Sequence, residues 1–396
     1  MLNSLQSGSW ATSQRLSAYP LMLIALYLAA LAAWFATAHG LLDWMNRPLG
    51  TDFSEVWVSG GFVLDGAPAK PFDNEALFAA ERAAFGSDTA LFAWGYPPYF
   101  LSLAALFALL PYLWALLIWQ TVSGFAYLMV MRAIVPRRET IVLALAFPAV
   151  FVNLTHGHNG FLTAALMAGG LLALEKRPVL AGFLFACLAY KPQYGLLIPV
   201  ALLCGQYWRA FGSAAVSFLA LTLATLAAWG TAPWAAFVQS LTYSRVELLE
   251  QGNTGFYKMQ SLFAAVRMLG GDVALAYIAQ GALLVVLVLT LAVLWAKRVD
   301  WRLKSAALLT AAILATPYCL DYDMMVIAPA IAFVVAHGLQ RGFAPYEKSL
   351  LAVVWFIPLI ARTLAQTTLL PLGLIAMLAL YGWVCWRALS LQKNHA

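Results

Sequence analysis

The chain has 396 residues, of which 63% are hydrophobic and only 10% are charged, and its mean hydropathy is +0.81. Because about a quarter of the residues in a soluble globular domain are charged, this composition excludes a soluble fold and indicates a polytopic membrane protein. The net charge of +6 does not indicate nucleic-acid binding, since the Lys and Arg residues are scattered between apolar segments. Those segments are long and continuous rather than alternating, which favours an all-α bundle over a β-barrel.

The first apolar segment spans residues 17–38. Its last three residues, 36–38, loosely fit a signal-peptide cleavage site, but the segment is long enough to cross a bilayer. We therefore interpret it as an uncleaved first transmembrane helix, with a cleaved signal peptide as the alternative. Further spans are predicted at 112–132, 140–155, 159–175, 178–191, 193–206, 209–229, 272–296, 303–318, 323–339, 347–363 and 369–388.

The basic residues between these spans predict the topology. Lys and Arg accumulate in cytoplasmic loops, and placing them there requires one crossing between residues 39–96 and Arg137. Two stretches compete for that crossing, 97–110 and 112–132. The shorter one, 97–110, is interpreted as a re-entrant or half-depth element. The result is a single integral-membrane domain, residues 1–396, with about 12 transmembrane helices and both termini in the cytoplasm.

This topology leaves two long extracytoplasmic loops, 39–96 and 230–271. The first contains eight carboxylates and is the longest polar interruption of the chain. Asp52 lies shortly after the first span and is followed by the aromatic residues Phe53 and Trp57. A carboxylate beside apolar rings suits general-base chemistry, whereas the alternatives are a solvated acid or a helix N-cap.

Other polar residues fall on the same predicted face of the membrane. His156 and His158 have the spacing of a metal pair without a third ligand nearby in sequence, so hydrogen bonding to a sugar or phosphate, or capping of a helix end, is the alternative. Lys191 and Lys258 are cations on the face that the topology rule disfavours, which indicates either binding of an anionic lipid phosphate or contact with lipid headgroups. The candidate substrate-binding residues are Glu55, Tyr96, His156, His158, Asn159, Lys191, Gln193, Arg245, Lys258, Gln260, Asp321 and Asp323.

Two of these candidates, Asp321 and Asp323, flank Tyr322 at the outer start of a span. Carboxylates at the edge of the membrane are costly and usually serve a site. They bind substrate hydroxyls, or one of them forms a structural ion pair with Lys191 or Lys258.

Six motifs follow one another along the chain: Asp52-Phe53-Ser54, Tyr96-Pro97-Pro98, His156-Gly157-His158-Asn159-Gly160, Lys191-Pro192-Gln193, Lys258-Met259-Gln260-Ser261, and Pro317-Tyr318 with Asp321-Tyr322-Asp323. Together they resemble glycosyltransferase family 87, bacterial integral-membrane enzymes of the GT-C superfamily that include polyprenyl-phosphate-mannose-dependent mannosyltransferases. The similarity runs from about residue 50 to about residue 335. One departure is that His158 occupies the position of Gln in the family pattern His-Gly-Gln-Asn, which leaves the role of His158 open.

The resemblance implies a GT-C-type helical bundle that transfers a sugar from a polyprenyl monophosphate to an acceptor hydroxyl with inversion. Asp52 matches the general base of that family. Mannose is the family-typical sugar, with another hexose or a pentose left open, and the acceptor is a glycolipid or glycan. The implied partners are therefore the polyprenyl-phosphate sugar donor, this acceptor and membrane lipids, without nucleic acid and without a cofactor; metal dependence is open. The implied location is the bacterial inner membrane, with the active site facing the periplasm.

Two other classes of function compete with this interpretation. A lipid flippase or transporter also carries intramembrane charges and broken helices. Against it, the polar residues gather on one predicted face rather than at mid-depth, and no inverted repeat is visible. The other rival is a non-catalytic scaffold for envelope assembly.

Overall fold

The structure, a computed structural model, describes residues 2–393. Within that range it is helical throughout, with short 3₁₀ and π segments and no β-strand, as the continuous apolar runs predicted. The α-helices are α1 (Leu2–Ser7), α2 (Ser13–Ala36), α3 (Thr51–Leu64), α4 (Asn74–Phe85), α5 (Tyr99–Ala108), α6 (Tyr112–Ile134), α7 (Arg138–Leu145), α8 (Pro148–His156), α9 (Gly160–Ala173), α10 (Pro178–Cys187), α11 (Pro192–Gly195), α12 (Ile198–Cys204), α13 (Trp208–Trp229), α14 (Ala232–Tyr243), α15 (Leu262–Met268), α16 (Val273–Ala296), α17 (Trp301–Leu314), α18 (Ile327–Arg341), α19 (Glu347–Phe356), α20 (Ala361–Thr368) and α21 (Leu372–Lys393).

Fewer helices are long enough to cross a membrane than the sequence predicted. Within residues 2–393, six are long and apolar enough, and the number is at most eight if the bent pairs α7–α8 and α19–α20 each form one span. The expectation of about 12 crossings is therefore not confirmed. The apolar segments 160–173, 178–190 and 192–204 form helices shorter than the ~20 residues that a bilayer requires, because Pro and Gly residues interrupt them.

The segment predicted as the first long loop is largely helical. It forms α3, a 3₁₀ turn at Lys70–Phe72, and α4, which begins at an N-cap where the Asp73 side chain accepts backbone hydrogen bonds from Glu75 and Ala76. Its helix α3 is buried along most of its length, with Phe53 fully enclosed against the rings of Phe107 and Tyr112. Asp52 therefore lies in the first turn of a packed helix rather than in an irregular loop.

The short helix α5 packs directly against α3. A Cβ atom at Gly60 of α3 would lie 2.1 Å from the carbonyl oxygen of Ala104 in α5, so the two backbones are in close contact. The indole Nε1 of Trp57 also donates to the carbonyl oxygen of Leu110, at 2.9 Å. With ten residues, α5 is too short to span a bilayer, in agreement with the half-depth element predicted there.

The second long polar stretch, 230–271, is also mostly helical. It contains α14, a π-helical segment at Ser244–Glu250, a 3₁₀ turn at Phe256–Lys258, and α15. The extended residue Met259 forms an isolated bridge with Leu320, which joins this stretch to the start of the span Asp321–Arg341. This contact brings Lys258 to the same end of the bundle as Asp321.

The span Asp321–Arg341, which comprises a 3₁₀ turn at Asp321–Val326 and α18, forms the centre of the bundle. In its most apolar window 83% of the residues are buried, against 11% in α2 and in α13. The helices α2 and α13 are thus peripheral and face lipid, whereas α17 and α18 form the core. The candidate site lies where the central span begins.

Candidate active site

Asp52 is held against the turn that follows α8. Its Oδ1 lies 3.8 Å from His156 Nδ1 and its Oδ2 lies 4.0 Å from His158 Nε2. This approach depends on two glycines with left-handed backbones, Gly50 (φ 71°) and Gly157 (φ 62°). A Cβ at Gly157 would lie 2.7 Å from the Cβ of Phe53, so a larger residue there would push α3 away.

A threonine hydroxyl links the aspartate to the first histidine. Thr51 Oγ1 lies 2.9 Å from His156 Nδ1 and 3.2 Å from Asp52 Oδ1. The Asp52 carboxylate stays partly open to solvent, with 20% of its side chain exposed. It is therefore accessible to a substrate while its position at the N-terminus of α3 favours its negative charge.

His158 is enclosed, in contrast to Asp52. Its ring stacks on the ring of Tyr322 with centroids 3.4 Å apart and an angle of 22° between the planes. Burial, followed by the charges of Lys191 and His156, lowers the pKa of His158 well below its ordinary value. The imidazole is therefore neutral at physiological pH, and its Nδ1 has no hydrogen-bond partner among the described residues.

Lys191 and Asp323 form a buried ion pair. The ammonium donates to Asp323 Oδ1 at 2.7 Å, and both side chains are nearly inaccessible, at 6% and 3% exposure. Asp323 Oδ2 also accepts from the backbone N–H of Leu320. This is one of the two pairings predicted from the sequence for the aspartates of the motif. It fastens the segment after α10 to the start of the central span.

A second group of charges surrounds Asp321. Arg362, in the first turn of α20, places Nη1 3.2 Å from Asp321 Oδ2. Lys258 is close enough to interact with these charges. Burial and the charge of Arg362 lower the pKa of Lys258, while the negative charges of Asp321 and Asp52 raise it. Arg362 is about one-third exposed, so its guanidinium can bind an anion as well as Asp321.

Glu55 is buried one helical turn beyond Asp52. Burial, and then the negative charges of Asp52 and Glu81, raise the pKa of Glu55 well above its ordinary value, although Lys191 acts against this. The protonated form of Glu55 is therefore favoured. It can donate a hydrogen bond, whereas Asp52 beside it supplies the carboxylate.

Glu81 supports this arrangement from α4. Its Oε2 accepts from the backbone N–H of Phe92 at 3.0 Å, but its Oε1 has no hydrogen-bond partner in the described part of the chain. Burial raises the pKa of Glu81 from 4.5 to about 8. The folded protein therefore retains a proton that the unfolded chain releases near pH 4.5, and its stability falls as the pH rises towards 8.

We expect Glu81→Gln to remove this loss of stability, because the amide keeps the acceptor for Phe92 and cannot ionise. Between pH 6 and pH 9 the thermal unfolding midpoint of the wild-type protein should fall by several degrees more than that of the variant. Glu75→Gln, on the exposed side of the same helix, is the matched control and should follow the wild-type curve. Parallel curves for Glu81→Gln and the wild type would contradict the assignment.

Tyr96 and Asn159 join the first polar segment to α9. The Asn159 Nδ2 donates to the Tyr96 hydroxyl oxygen at 2.7 Å, and the Asn159 Oδ1 is buried without a hydrogen-bond partner among residues 2–393. Nearby, Asn153 Nδ2 donates to the carbonyl oxygen of Tyr322, while its Oδ1 accepts from the backbone N–H of Gly160. The short sequence around the two histidines is thus fixed by amide side chains on both sides.

Three predicted site residues are placed differently. Arg245 is 61% exposed, and its nearest carboxylate is Glu250 at 3.9 Å, so no ion pair joins it to Asp52 or Asp321 among the described residues. Gln260 is buried, and its amide donates to the carbonyl oxygen of Lys258, which supports the turn rather than an open site. Gln193 is half-buried and forms no side-chain hydrogen bond within residues 2–393.

Arg362 was not among the site residues predicted from the sequence. The predicted topology places it in an apolar segment on the face where a cation is disfavoured, which is the same signal that singled out Lys191 and Lys258. Tyr322 was part of a quoted motif, but its stacking on His158 had no sequence signal. Across the described residues, no group of three or more His, Cys, Asp or Glu side chains is arranged to hold a metal ion.

The comparisons with known proteins identify the family. The model of "Glycosyltransferase family 87" matches residues 94–317, which is more than half of the chain. Searches of curated proteins and of solved structures found no match. The family match includes both histidines and Lys191, whereas Asp52 and Arg362 lie outside the matched range. The motifs along the chain had indicated the same family, and we conclude that this protein belongs to glycosyltransferase family 87 and is a multi-pass membrane glycosyltransferase.

Proposed function

We propose that this protein transfers a sugar from a polyprenyl-phosphate donor to an acceptor hydroxyl, with Asp52 as the general base. One observation carries the proposal. The Asp52 carboxylate is partly open to solvent, and the positive charges of Arg362 and Lys258 lie on the same side of the bundle. A base and a group of cations are the two elements that displacement of a phosphate from a sugar requires.

In the proposed reaction, the acceptor oxygen attacks the anomeric carbon as the bond from that carbon to the donor phosphate oxygen breaks. The acceptor hydroxyl gives its proton to Asp52. One base and a single displacement invert the configuration at the anomeric carbon, as in inverting glycoside hydrolysis. Glu55, whose protonated form is favoured by burial, donates to a sugar hydroxyl, and His156 and the neutral His158 orient the substrates or the carboxylate.

The leaving group is a lipid phosphate, on which negative charge increases in the transition state. Arg362 and Lys258 stabilise that charge, since guanidinium and ammonium groups bind phosphate through charge-assisted hydrogen bonds. Lys191 contributes mainly through its ion pair with Asp323, which positions the start of the central span. Phosphate is a good leaving group, so no general acid is needed.

The location and the sugar are proposed from the family resemblance. We place the site at the periplasmic face of a bacterial inner membrane. Mannose is the sugar we favour, and the acceptor is a glycolipid or glycan. The bundle is of the GT-C type, and α3 and α4 cover the site and exclude water that would hydrolyse the donor.

The test is a transfer assay with the purified full-length protein. Synthetic polyprenyl-phosphate mannose and an acceptor glycolipid are incubated with it, and mass spectrometry follows the mannosylated acceptor and the released polyprenyl phosphate. We expect both products to form together. If the protein instead moves the intact lipid across liposomes without cleaving it, the protein is a flippase. If neither activity occurs with any sugar donor, the interpretation as a non-catalytic scaffold is favoured.

Arg362→Gln should weaken the use of the donor, because the phosphate loses a charge-assisted hydrogen bond of roughly 1.5–3 kcal/mol. We expect the KM for the donor to rise on the order of 10- to 100-fold, with a lower kcat. Arg362→Lys should recover part of the loss. Arg245→Gln, which removes an exposed guanidinium elsewhere, should have no effect. A wild-type KM for Arg362→Gln would exclude this residue from phosphate binding.

A further inference from the structure

A large apolar cleft lies at the end of the bundle opposite to Asp52. Its volume is about 950 Å³, and it is formed between the first half of α2, the end of α6 and the facing sides of α18 and α19. The residues that line it are mostly Leu, Ile, Val, Ala, Met and aromatic side chains. Its size is at the upper end of the range for small-molecule pockets.

Two helices show that the cleft and the candidate active site are far apart. Helix α6 begins at the site, where Tyr112 donates to the carbonyl oxygen of Leu49, and reaches the cleft with Met131. At 1.5 Å per residue, these two ends of α6 are roughly 28 Å apart. The central span begins at Asp321 and lines the cleft from Ala328 to Leu339, so the cleft extends from the middle of the bundle to its far end. That far end, which holds Arg15 and Lys348, faces the opposite membrane leaflet.

The cleft exists because α2 stands away from the bundle at this end. In its middle α2 is held by Tyr27, whose hydroxyl donates to the carbonyl oxygen of Ala146 at 3.4 Å. At its start the chain crosses to α19, where Trp10 Nε1 donates to Ser349 Oγ at 2.8 Å and the backbone N–H of Tyr346 donates to Gln6 at 2.9 Å. The opening between these attachments is lined by α18 and α19.

The charges around this opening are mainly positive. Of the residues that line the cleft, Arg15, Arg137 and Lys348 are cations and only Glu139 is an acid. None of the three cations has a carboxylate partner in the part of the chain that the structure describes. Cations without carboxylate partners beside an apolar cleft match a molecule that has a negative head and hydrocarbon tails.

We propose that this cleft binds an anionic phospholipid of the leaflet opposite to the active site. Its phosphate lies at Arg15, Arg137 and Lys348, and its acyl chains fill the space between α2 and the helices α18 and α19. The lipid thereby completes the packing of α2, which few protein side chains cover. This site is independent of the sugar donor, whose phosphate we place at the other end of the bundle.

Native mass spectrometry of the full-length protein in detergent tests the proposal, with added phosphatidylglycerol or phosphatidylcholine of the same acyl chains as the probes. The wild type should bind one phosphatidylglycerol at least about tenfold more tightly than phosphatidylcholine. Each basic residue near a headgroup contributes roughly fivefold in affinity. The variant Arg15→Gln/Arg137→Gln/Lys348→Gln should therefore lose this preference.

Two further variants keep the test decisive. Lys176→Gln/Lys297→Gln/Arg298→Gln removes the same charge from exposed positions outside the cleft and should retain the preference. Ala352→Phe fills the cleft and should reduce binding of both lipids while the protein stays monodisperse. Equal binding of both lipids by the wild type, an equal loss in the control triple variant, or unchanged lipid binding in Ala352→Phe would each overturn the proposal.

Discussion

Asp52→Asn is expected to abolish sugar transfer and to leave the protein folded. The amide has the size of the carboxylate but cannot accept the proton of the acceptor hydroxyl, and a positioned general base contributes about 10²- to 10⁴-fold to a rate. The neighbours of Asp52 are histidines at 3.8 and 4.0 Å rather than tightly bound cations, so neutralising it leaves no buried charge without a partner. We therefore expect kcat to fall by at least about 100-fold while the affinity for the donor changes little.

The measurement combines a transfer assay with donor binding to the same preparation. Asp65→Asn, at the opposite end of α3, is the matched control, because Asp65 is an exposed carboxylate of the same segment that contacts none of the site residues. It should retain wild-type activity. Transfer by Asp52→Asn at more than about one-tenth of the wild-type rate would assign the base to another residue.

Lys191→Met is expected to be strongly destabilising, because it leaves the Asp323 carboxylate buried without its partner. Removing one member of a buried ion pair costs about 3–5 kcal/mol. Asp323→Asn should be similarly harmful, since it leaves an unpaired ammonium at 6% exposure. The double variant Lys191→Met/Asp323→Asn buries no charge and should regain much of the lost free energy of unfolding.

Unfolding in SDS titrations of the wild type, both single variants and the double variant measures the coupling between the two side chains. The exposed pair of Arg245 with Glu250 provides the comparison, and Arg245→Gln should cost less than about 1 kcal/mol. If the double variant lost the sum of the two single effects, the ion pair would not couple the segment after α10 to the central span. Activity alone does not distinguish these outcomes, which is why the free energy of unfolding is measured.

Several parts of the structure were predictable from local sequence patterns. Long apolar runs specify helices in a membrane because a helix satisfies its own backbone hydrogen bonds. The polar motifs containing Asp52, His156, His158, Lys191 and Asp321 were identified as one group, since the predicted topology placed them all on one face of the membrane. The positions of Arg245 and Gln260 were not predictable, because the depth and direction of a side chain depend on the helices that pack around it.

The number of spans was also not predictable from local sequence patterns. Residues 160–173 and 178–190 are apolar enough to count as crossings, yet they form helices too short for a bilayer. Glycine and proline shorten or bend helices, and neighbouring helices determine whether such a segment crosses or ends inside the bundle. Apolar composition records burial, but it does not distinguish lipid from protein as the surrounding medium.

The amino-acid sequence by itself determined that this is an all-helical membrane protein with its polar chemistry in a few short motifs, and those motifs indicated its family. Only the tertiary structure decided that Asp52 begins a packed helix beside two histidines, that Lys191 pairs with Asp323, and that Arg362 reaches Asp321. The physical reason is distance along the chain. Composition and periodicity act over a few turns, whereas each of these contacts joins residues at least 41 positions apart and depends on how the helices pack.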